Sequence, residues 1–499
     1  MENLQFLLSG FSVLFTGQNI LIACLGAILG IFVGAMPGIG SLAGVALLLP
    51  LTYGMNATSA IVLLCTLYYA CMFGGSYSAI LLNIPGDSPA IMTTLDGYPL
   101  AKKGRAGKAL MTANMSSFVG GFIGMVILTY SAVGLARLGL KFGPAEMTTL
   151  LMLALTSVTW LIGENPIKGL IATLIGALLT CIGTDPINAS LRLTFHNIYL
   201  LGGLPFTPLV IGAVGFSQVI GLVTEKDGQA VSSEKLSVKK NFLTKHEWKW
   251  ILPVCLRNGV LGTIVGILPG AGATTASMVG YMTQKKLFKS EEPLGEGAIE
   301  GIASCESANN AACAGCFAPL LALGIPGSST GSVLLGGLMM WGLQPGPLLF
   351  TTNSDFAWGC IASLFFANIF ALLCGLLLVP ILSKVICVPN GILVPVVTMI
   401  CIAGSYSCTR SIYGVVVMFV AGVVCYFLVK HKYPMAPLLL AFVLAPMLET
   451  YMRRAFASSA GKISIFWSSP ISAVCLAIFI ITIMTPIVRM TIAKIKKHS

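Results

Sequence analysis

A Pro-Gly-x-Gly motif interrupts a long apolar segment in each half of the chain, and these interruptions limit the possible folds. The first copy spans Leu29 to Gly40 and the second spans Leu261 to Gly272; aligned without a gap, they agree at seven of twelve positions. Proline removes a backbone donor and glycine is a poor helix former, so each motif is expected to break a helix. In a bilayer, such a break is tolerated only where the freed backbone groups are buried in protein or line an aqueous cavity. The motifs therefore predict two broken membrane helices, which in transporters mark the binding site.

Composition places the chain among polytopic membrane proteins. Hydrophobic residues make up 56% of the chain, charged residues make up 9%, and the mean hydropathy is +0.91. The net charge of +12 comes from basic residues in short loops and tails, as membrane topology requires, which argues against nucleic-acid binding. The N-terminus lacks a basic region and a cleavage site, so we expect no removable signal peptide.

The cysteines and histidines do not suggest a metal centre. Many of the 15 cysteines lie within apolar segments, where cysteine behaves as a small hydrophobic residue. Cys313 and Cys316 have the spacing of a redox or metal motif, but no histidine lies near them in the sequence, and we interpret them as packing residues. The four histidines fall in predicted loops or the tail. We therefore expect no cofactor beyond a coupling ion.

The apolar segments are of two lengths, some long enough to cross a membrane and some short enough to be half-helices. They are predicted at roughly 17–36, 41–56, 58–74, 109–136, 145–163, 168–183, 205–224, 250–268, 273–284, 298–316, 356–382, 391–408, 411–429, 435–448 and 463–486. The sequence predicts four regions: a first transmembrane repeat at 1–224, a polar linker at 225–250, a second repeat at 251–462, and an extra helix with a basic tail at 463–499.

The repetition extends beyond the Pro-Gly-x-Gly motifs. Three further pairs of segments correspond in the same order: 83–88 with 324–329, 167–169 with 412–414, and 205–209 with 434–438. Because the order is preserved, we interpret the two halves as copies of one unit.

The distribution of basic residues predicts that the two copies are inverted. In the first half, the loop at 51–58 has no Lys or Arg, whereas four basic residues follow Ile-Pro-Gly: Lys102, Lys103, Arg105 and Lys108. In the second half the bias reverses, because 342–356 has none and three lysines follow Pro-Gly-x-Gly: Lys285, Lys286 and Lys289. Equivalent loops therefore lie on opposite sides under the positive-inside rule. The rule places the linker and the C-terminus in the cytoplasm; Arg453 and Arg454 fall outside, against the trend.

The predicted fold class is thus an all-α polytopic membrane protein with two inverted-topology repeats, broken helices and two re-entrant hairpins. The hairpins turn at Ile84-Pro-Gly and Ile325-Pro-Gly. At such a turn one half-helix ends and another begins, exposing carbonyls that suit a cation and N–H groups that suit a carboxylate. The alternative is a simple interhelical turn. The predicted substrate-binding residues lie at the breaks and turns: Pro37, Gly38, Gly40, Asn83, Pro85, Gly86, Ser88, Pro269, Gly270, Gly272, Asn309, Asn310, Pro326, Gly327, Ser328 and Ser329.

A polar segment, Glu306 to Asn310, precedes the second turn within small residues. A carboxylate in hydrocarbon is costly, so Glu306 should face protein, water or an ion, and Glu306, Asn309 and Asn310 form a possible Na⁺ site. The alternative is that these side chains only join helices. The corresponding first-half segment, 68–76, lacks these polar residues. We interpret Asp96 as a solvated loop charge.

A Walker loop, a Gly-x-Ser-x-Gly elbow and a His-Glu-x-x-His motif are absent, which disfavours an ATP-driven protein or a common hydrolase.

Several motifs together resemble the large membrane subunit of the tripartite tricarboxylate transporters, the TctA family. They are 34–40, 82–86, 94–99, 104–107, 266–272, 306–310 and 323–327, and Cys305 stands where the family usually has proline. The resemblance implies a bacterial inner-membrane secondary transporter rather than an enzyme. It also implies two partners, a small four-helix membrane subunit and a periplasmic solute-binding protein that delivers a carboxylate such as citrate.

We therefore expect uptake of a small di- or tricarboxylate, coupled to Na⁺ or H⁺ and fed by the binding protein. Three alternatives remain at this point: a stand-alone carrier or exporter, an integral membrane enzyme acting on lipid-linked substrates, and a passive channel.

Overall fold

The computed structural model describes residues 2–36, 39–162, 166–185, 188–224, 242–377 and 390–498. Eight helical stretches in these ranges are long and apolar enough to cross a membrane, so the chain is an all-α polytopic membrane protein. They are Gly17–Ala35, Ala57–Leu82, Ser88–Gly139, Phe206–Val223, Lys245–Ile267, Ser354–Leu377, Ile412–Lys430 and Met435–Ser458.

The α-helices in chain order are α1 (Glu2–Leu14), α2 (Gly17–Ala35), α3 (Gly40–Leu48), α4 (Ala57–Leu82), α5 (Ile91–Leu100), α6 (Ala106–Gly139), α7 (Pro144–Ile162), α8 (Pro166–Leu179), α9 (Phe206–Val210), α10 (Ser217–Thr224), α11 (Lys245–Ile267), α12 (Gly272–Leu287), α13 (Ile299–Gly315), α14 (Phe317–Leu323), α15 (Ser329–Met340), α16 (Leu349–Thr352), α17 (Ser354–Leu377), α18 (Asn390–Thr409), α19 (Ile412–Lys430), α20 (Met435–Ser458) and α21 (Pro470–His498). Tighter or wider helical turns occupy Leu49–Gly54, Ser88–Ala90, Ala101–Arg105, Ile198–Leu200, Ile211–Phe216 and Ile463–Trp467. Two short strands, β1 (Gly183–Thr184) and β2 (Leu191–Arg192), pair antiparallel.

Both Pro-Gly-x-Gly motifs interrupt a helix, as predicted. The first break lies between α2 and α3 and the second between α11 and α12. The helix after each break begins at a glycine in the left-handed region, Gly40 with φ 63° and Gly272 with φ 62°. A side chain at either position would be strained, which explains the second glycine of each motif.

The two Ile-Pro-Gly turns also share their geometry. The helix before each turn ends at a left-handed residue, Asn83 with φ 61° after α4 and Gly324 with φ 70° after α14. Such a residue is a common helix terminator, and the following proline cannot continue the helix. The chain then resumes as the Ser88–Ala90 turn with α5, or as α15.

Glycines allow each broken helix to pack closely on the helix that leads to the turn of the same half. A Cβ at Gly34 on α2 would lie 2.3 Å from the Cys71 carbonyl oxygen on α4. A Cβ at Gly266 on α11 would likewise lie 2.3 Å from the Ala312 carbonyl oxygen on α13. Small residues of this kind bring membrane helices into backbone contact.

The chain divides into two compact units, and each unit takes residues from both halves of the sequence. The first unit holds 1–136 and 206–426, and the second holds 137–205 and 427–499. In the second unit, Arg453 pairs with Asp185 at 3.1 Å and with Glu449 at 2.6 Å. These acids also contact Arg192, so the charge of Arg453, one of the two that opposed the predicted topology, is neutralised locally.

Several boundaries differ from the prediction. Residues Glu2–Leu14 are helical, although the sequence pattern predicts no segment there. Of the predicted linker, 225–241 lies outside the described residues, and α11 begins at Lys245 with a capping box between Thr244 and Glu247. The final helix begins at Pro470 rather than at 463, because Ile463–Trp467 forms a separate turn.

Candidate functional site

Each Ile-Pro-Gly turn lies on the broken helix of its own half. A Cβ at Gly86 would come within 1.9 Å of the Gly34 carbonyl oxygen, and one at Gly327 within 2.6 Å of the Gly266 carbonyl oxygen. In the aligned segments of the two halves, Gly34 corresponds to Gly266 and Gly86 to Gly327. The close approach of turn to break is therefore built in the same way twice.

Asp87 joins the first turn to the first break. Its Oδ2 accepts a hydrogen bond from the Ser41 backbone N–H at 2.9 Å, in the first turn of α3. Its Oδ1 accepts one from the Ser88 N–H at 2.7 Å and so caps the Ser88–Ala90 turn. Because a carboxylate satisfies N–H groups that a helix start leaves free, Asp87 fixes the two elements together.

Ser328 occupies the corresponding place in the second half. It caps α15 by accepting a hydrogen bond from the Gly331 N–H at 3.0 Å. Its hydroxyl also lies 2.9 Å from the Tyr68 hydroxyl on α4. The neighbouring backbone is tied directly to the break, since the Gly272 N–H donates to the Gly327 carbonyl oxygen at 3.0 Å.

Hydrogen bonds between the halves bring the two turns into one site. The Ser41 and Thr330 hydroxyls lie 3.1 Å apart, and both side chains are buried. The Ser277 hydroxyl on α12 donates to the Pro89 carbonyl oxygen at 2.8 Å. With the Tyr68–Ser328 contact, these bonds connect both breaks to the opposite turns. All of these residues belong to the first compact unit.

The break and turn residues predicted from sequence differ in how deeply they are buried. Pro37 and Gly38 lie outside the described residues. Asn83 and Ser88 are exposed, whereas Pro85, Pro269 and Ser329 are half-buried. The remaining turn and break residues are buried: Gly40, Gly86, Gly270, Gly272, Pro326, Gly327 and Ser328. Sequence reasoning missed Ser41, Tyr68 and Asp87, because their importance depends on partners that are distant in the chain.

Glu306 forms a second buried polar cluster on α13. The Thr93 hydroxyl on α5 donates to its Oε1 and the Ser117 hydroxyl on α6 donates to its Oε2 at 3.0 Å. The carboxylate is fully buried, and the ion pairs found among the described residues do not include it. A buried carboxylate that lacks a basic partner needs a proton, a cation or hydrogen bonds to be stable.

Two amides extend this cluster. Asn310 donates from Nδ2 to the Glu306 carbonyl oxygen at 3.0 Å, one turn back along the helix. The Oδ1 atoms of Asn309 and Asn310 are buried, and neither accepts a hydrogen bond from the described residues. Carboxylate and amide oxygens are the ligand types that hard cations prefer. Groups of three or more His, Cys, Asp or Glu suited to a metal ion are absent from the described part of the chain.

Asp96 is fully buried, so the prediction of a solvated loop charge is wrong. Its Oδ1 accepts hydrogen bonds from the N–H groups of Gly295, Gly297 and Ala298 at 2.8, 2.9 and 2.9 Å. Its Oδ2 accepts one from the Tyr281 hydroxyl at 2.9 Å. Ala298 precedes α13, so a first-half carboxylate holds the start of the helix that carries Glu306.

Comparison with known proteins is consistent with a transport role. Residues 20–440 match the family model described as "Tripartite tricarboxylate transporter TctA family". The chain is 36% identical over 478 residues to "Uncharacterized 52.8 kDa protein in TAR-I ttuC' 3'region" of Agrobacterium vitis, covering 96% of this chain and 95% of the relative. It is also 36% identical over 223 residues to "Uncharacterized protein in TAR-II ttuC' 3'region" of Agrobacterium vitis, covering 45% of this chain and 92% of that protein. No solved structure matches the chain significantly.

Proposed function

We propose, on the premise that the chain belongs to the tripartite tricarboxylate transporter TctA family, that it takes up a small di- or tricarboxylate by secondary active transport. The family is one of transporters, not enzymes, and its members are the large membrane subunit of a three-part system. We further propose that the substrate is citrate-like, that uptake is coupled to a Na⁺ or H⁺ gradient, and that a periplasmic solute-binding protein delivers the substrate.

The observation that carries this proposal is the matched contact of turn on break in the two halves, joined by the Ser41–Thr330 hydrogen bond. Broken helices at corresponding places in two repeats form the binding sites of many secondary transporters. The repeated left-handed glycines and the reversed loop charges support two inverted repeats whose Ile-Pro-Gly turns are re-entrant hairpins.

The substrate and the ion would use different groups. Lys and Arg are absent from 83–89 and 324–330, so helix N-termini and hydroxyls would hold the substrate carboxylates. These belong to the predicted break and turn residues, including Ser88, Ser328 and Ser329. The coupling ion would be held by Glu306, Asn309 and Asn310, whose buried oxygens suit Na⁺ or a proton.

The proposed setting is the bacterial inner membrane with the C-terminus in the cytoplasm, as the loop charges favour. The proposed partners are a small four-helix membrane subunit and the periplasmic solute-binding protein. Both follow from the resemblance of the chain to the TctA family.

Uptake of labelled mono-, di- and tricarboxylates into vesicles tests the proposal. The vesicles would contain the chain, its small membrane subunit and the binding protein, with a Na⁺ or H⁺ gradient imposed separately. We expect saturable accumulation with one gradient and none without the binding protein. Accumulation without the binding protein would favour the stand-alone carrier, and non-saturating flux a channel. Turnover of a lipid-linked substrate in detergent would favour the enzyme.

A further inference from the structure

The two turns differ in charge at one corresponding position. The first turn reads Asn83-Ile-Pro-Gly-Asp87 and the second Gly324-Ile-Pro-Gly-Ser328, so an acid in the first half stands where the second half has a hydroxyl. In both halves this residue lies close to the glycine that begins the helix after the break. A Cβ at Gly40 would meet Asp87 Oδ1 at 2.9 Å, and one at Gly272 would meet Ser328 Cβ at 3.4 Å.

In the first half, a carboxylate already occupies the position suited to an anion. Both oxygens of Asp87 are used, Oδ2 by the Ser41 N–H of α3 and Oδ1 by the Ser88 N–H of the next helical turn. Anions at helix starts are stabilised by the free N–H groups and the helix dipole. A second anion at the same place would be repelled by Asp87.

In the second half, the corresponding position has no carboxylate from the described residues. Ser328 is neutral and its hydroxyl contacts the Gly331 N–H and the Tyr68 hydroxyl. Ala273 corresponds to Ser41 and lacks its hydroxyl. Thr330 adds a buried hydroxyl that reaches the first half through Ser41.

We propose that Asp87 is a specificity-determining residue: it fills the first-half anion position, so the transported anion binds with one carboxylate at the second turn, beside Ser328 and Thr330. This inference rests on the proposed carboxylate transport. It names the half of the site that meets the substrate charge, and it predicts that Asp87 limits how many carboxylates the site accepts.

Four variants test the inference: D87N, D87S, S328D and the exchange variant D87S/S328D. The measurement is inhibition of labelled-substrate uptake by unlabelled mono-, di- and tricarboxylates in the complete vesicle system. D87N keeps an oxygen acceptor for the Ser41 N–H but removes the charge. We expect D87N and D87S to favour the competitor that has one carboxylate more than the substrate of the wild-type protein. Its affinity relative to that substrate should rise about tenfold, because a like charge has been removed.

S328D should lose uptake by about tenfold or more, since it brings a second fixed carboxylate to the site. D87S/S328D should recover part of that loss, because it moves the turn without a fixed carboxylate to the first half. Chromatographic monodispersity would check that each variant is folded. If S328D fails to fold, the D87N competition series alone decides.

Two outcomes separate the inference from the proposed function. Wild-type transport of a carboxylate, with the same competitor ranking in D87N and D87S, would overturn the role of Asp87 and leave the transport function standing. A wild-type complex that takes up none of the carboxylates under either gradient would overturn the proposed function and the inference together.

Discussion

The Ser41 hydroxyl lies 3.1 Å from the Thr330 hydroxyl, although 289 residues separate the two in the chain. Ser41 is the second residue of α3, the helix after the first break, and Thr330 is the second residue of α15, the helix after the second turn. Both side chains are buried, so their hydrogen bond is protected from competing water. The candidate site is therefore made jointly by the two halves.

Removing either hydroxyl should weaken the connection between the halves. We expect S41A and T330A each to destabilise the protein by about 1–3 kcal/mol, because each leaves a buried hydroxyl without its partner. The double variant should cost less than the sum of the two. Thermal unfolding of the purified protein in detergent measures this, with Thr129→Ala as control, since the Thr129 hydroxyl donates to the Met125 carbonyl oxygen on its own helix. Strict additivity would contradict the contact.

Asn310→Ala should abolish ion-coupled uptake while leaving membrane insertion intact. The substitution removes a buried Oδ1 that the described residues leave without a donor, and this oxygen is the proposed ion ligand. Gradient-driven uptake and the amount of protein in the membrane would both be measured. Ser304→Ala is a suitable control, because Ser304 is buried on the same helix and its hydroxyl donates to the Gly301 carbonyl oxygen of that helix. Uptake at the wild-type level would refute the role of Asn310.

Asp96→Ala should be strongly destabilising. The carboxylate accepts four hydrogen bonds, and each bond to a charged group contributes about 1.5–3 kcal/mol. Asp96→Asn retains one oxygen acceptor and should cost less, and Tyr281→Phe should cost only one bond. The three variants should therefore unfold in the order Asp96→Ala, Asp96→Asn, Tyr281→Phe in a detergent melting experiment. Equal melting temperatures would contradict a structural role for Asp96.

Much of the architecture was predictable from local sequence. The breaks before Gly40 and Gly272 were predictable because proline and glycine act on the backbone where they stand. The first turn was located for the same reason, although the sequence did not identify Asp87 as its capping residue.

The polar contacts between helices were not predictable from local pattern. Asp96 lies beside a basic loop in sequence, yet its N–H donors come from 295–298 and its hydroxyl donor from Tyr281. In the sequence, Tyr68 looks like an ordinary position of an apolar helix, and only the structure shows its contact with Ser328. A charge or hydroxyl is assigned correctly only when its distant partners are known, and a single sequence does not contain that information.

Substitution of the two turn glycines should impair both halves of the site. A methyl group at Gly86 would meet the Gly34 carbonyl at 1.9 Å, and one at Gly327 would meet the Gly266 carbonyl at 2.6 Å. Backbone must move in either case, and overpacking of this kind costs about 1–3 kcal/mol or more. Gly86→Ala and Gly327→Ala should lower uptake and stability, whereas Gly17→Ala has open space and should behave as wild type. Wild-type uptake by both turn variants would contradict the packing.

The inverted arrangement predicts that Lys103 and Gln344 face opposite compartments. Both are exposed, and they lie in the segments that follow the first and second turns. Single cysteines at these positions should react with a membrane-impermeant maleimide from opposite sides. The background would lack Cys387, which lies outside the described residues, and the partly exposed cysteines of the described part, Cys24, Cys181, Cys408 and Cys475. We expect Lys103→Cys to react from the cytoplasm, because basic loops are retained there, and Gln344→Cys from the periplasm. If both positions react from the same side, the repeats are not inverted, and the two turns cannot approach one site from opposite faces of the membrane.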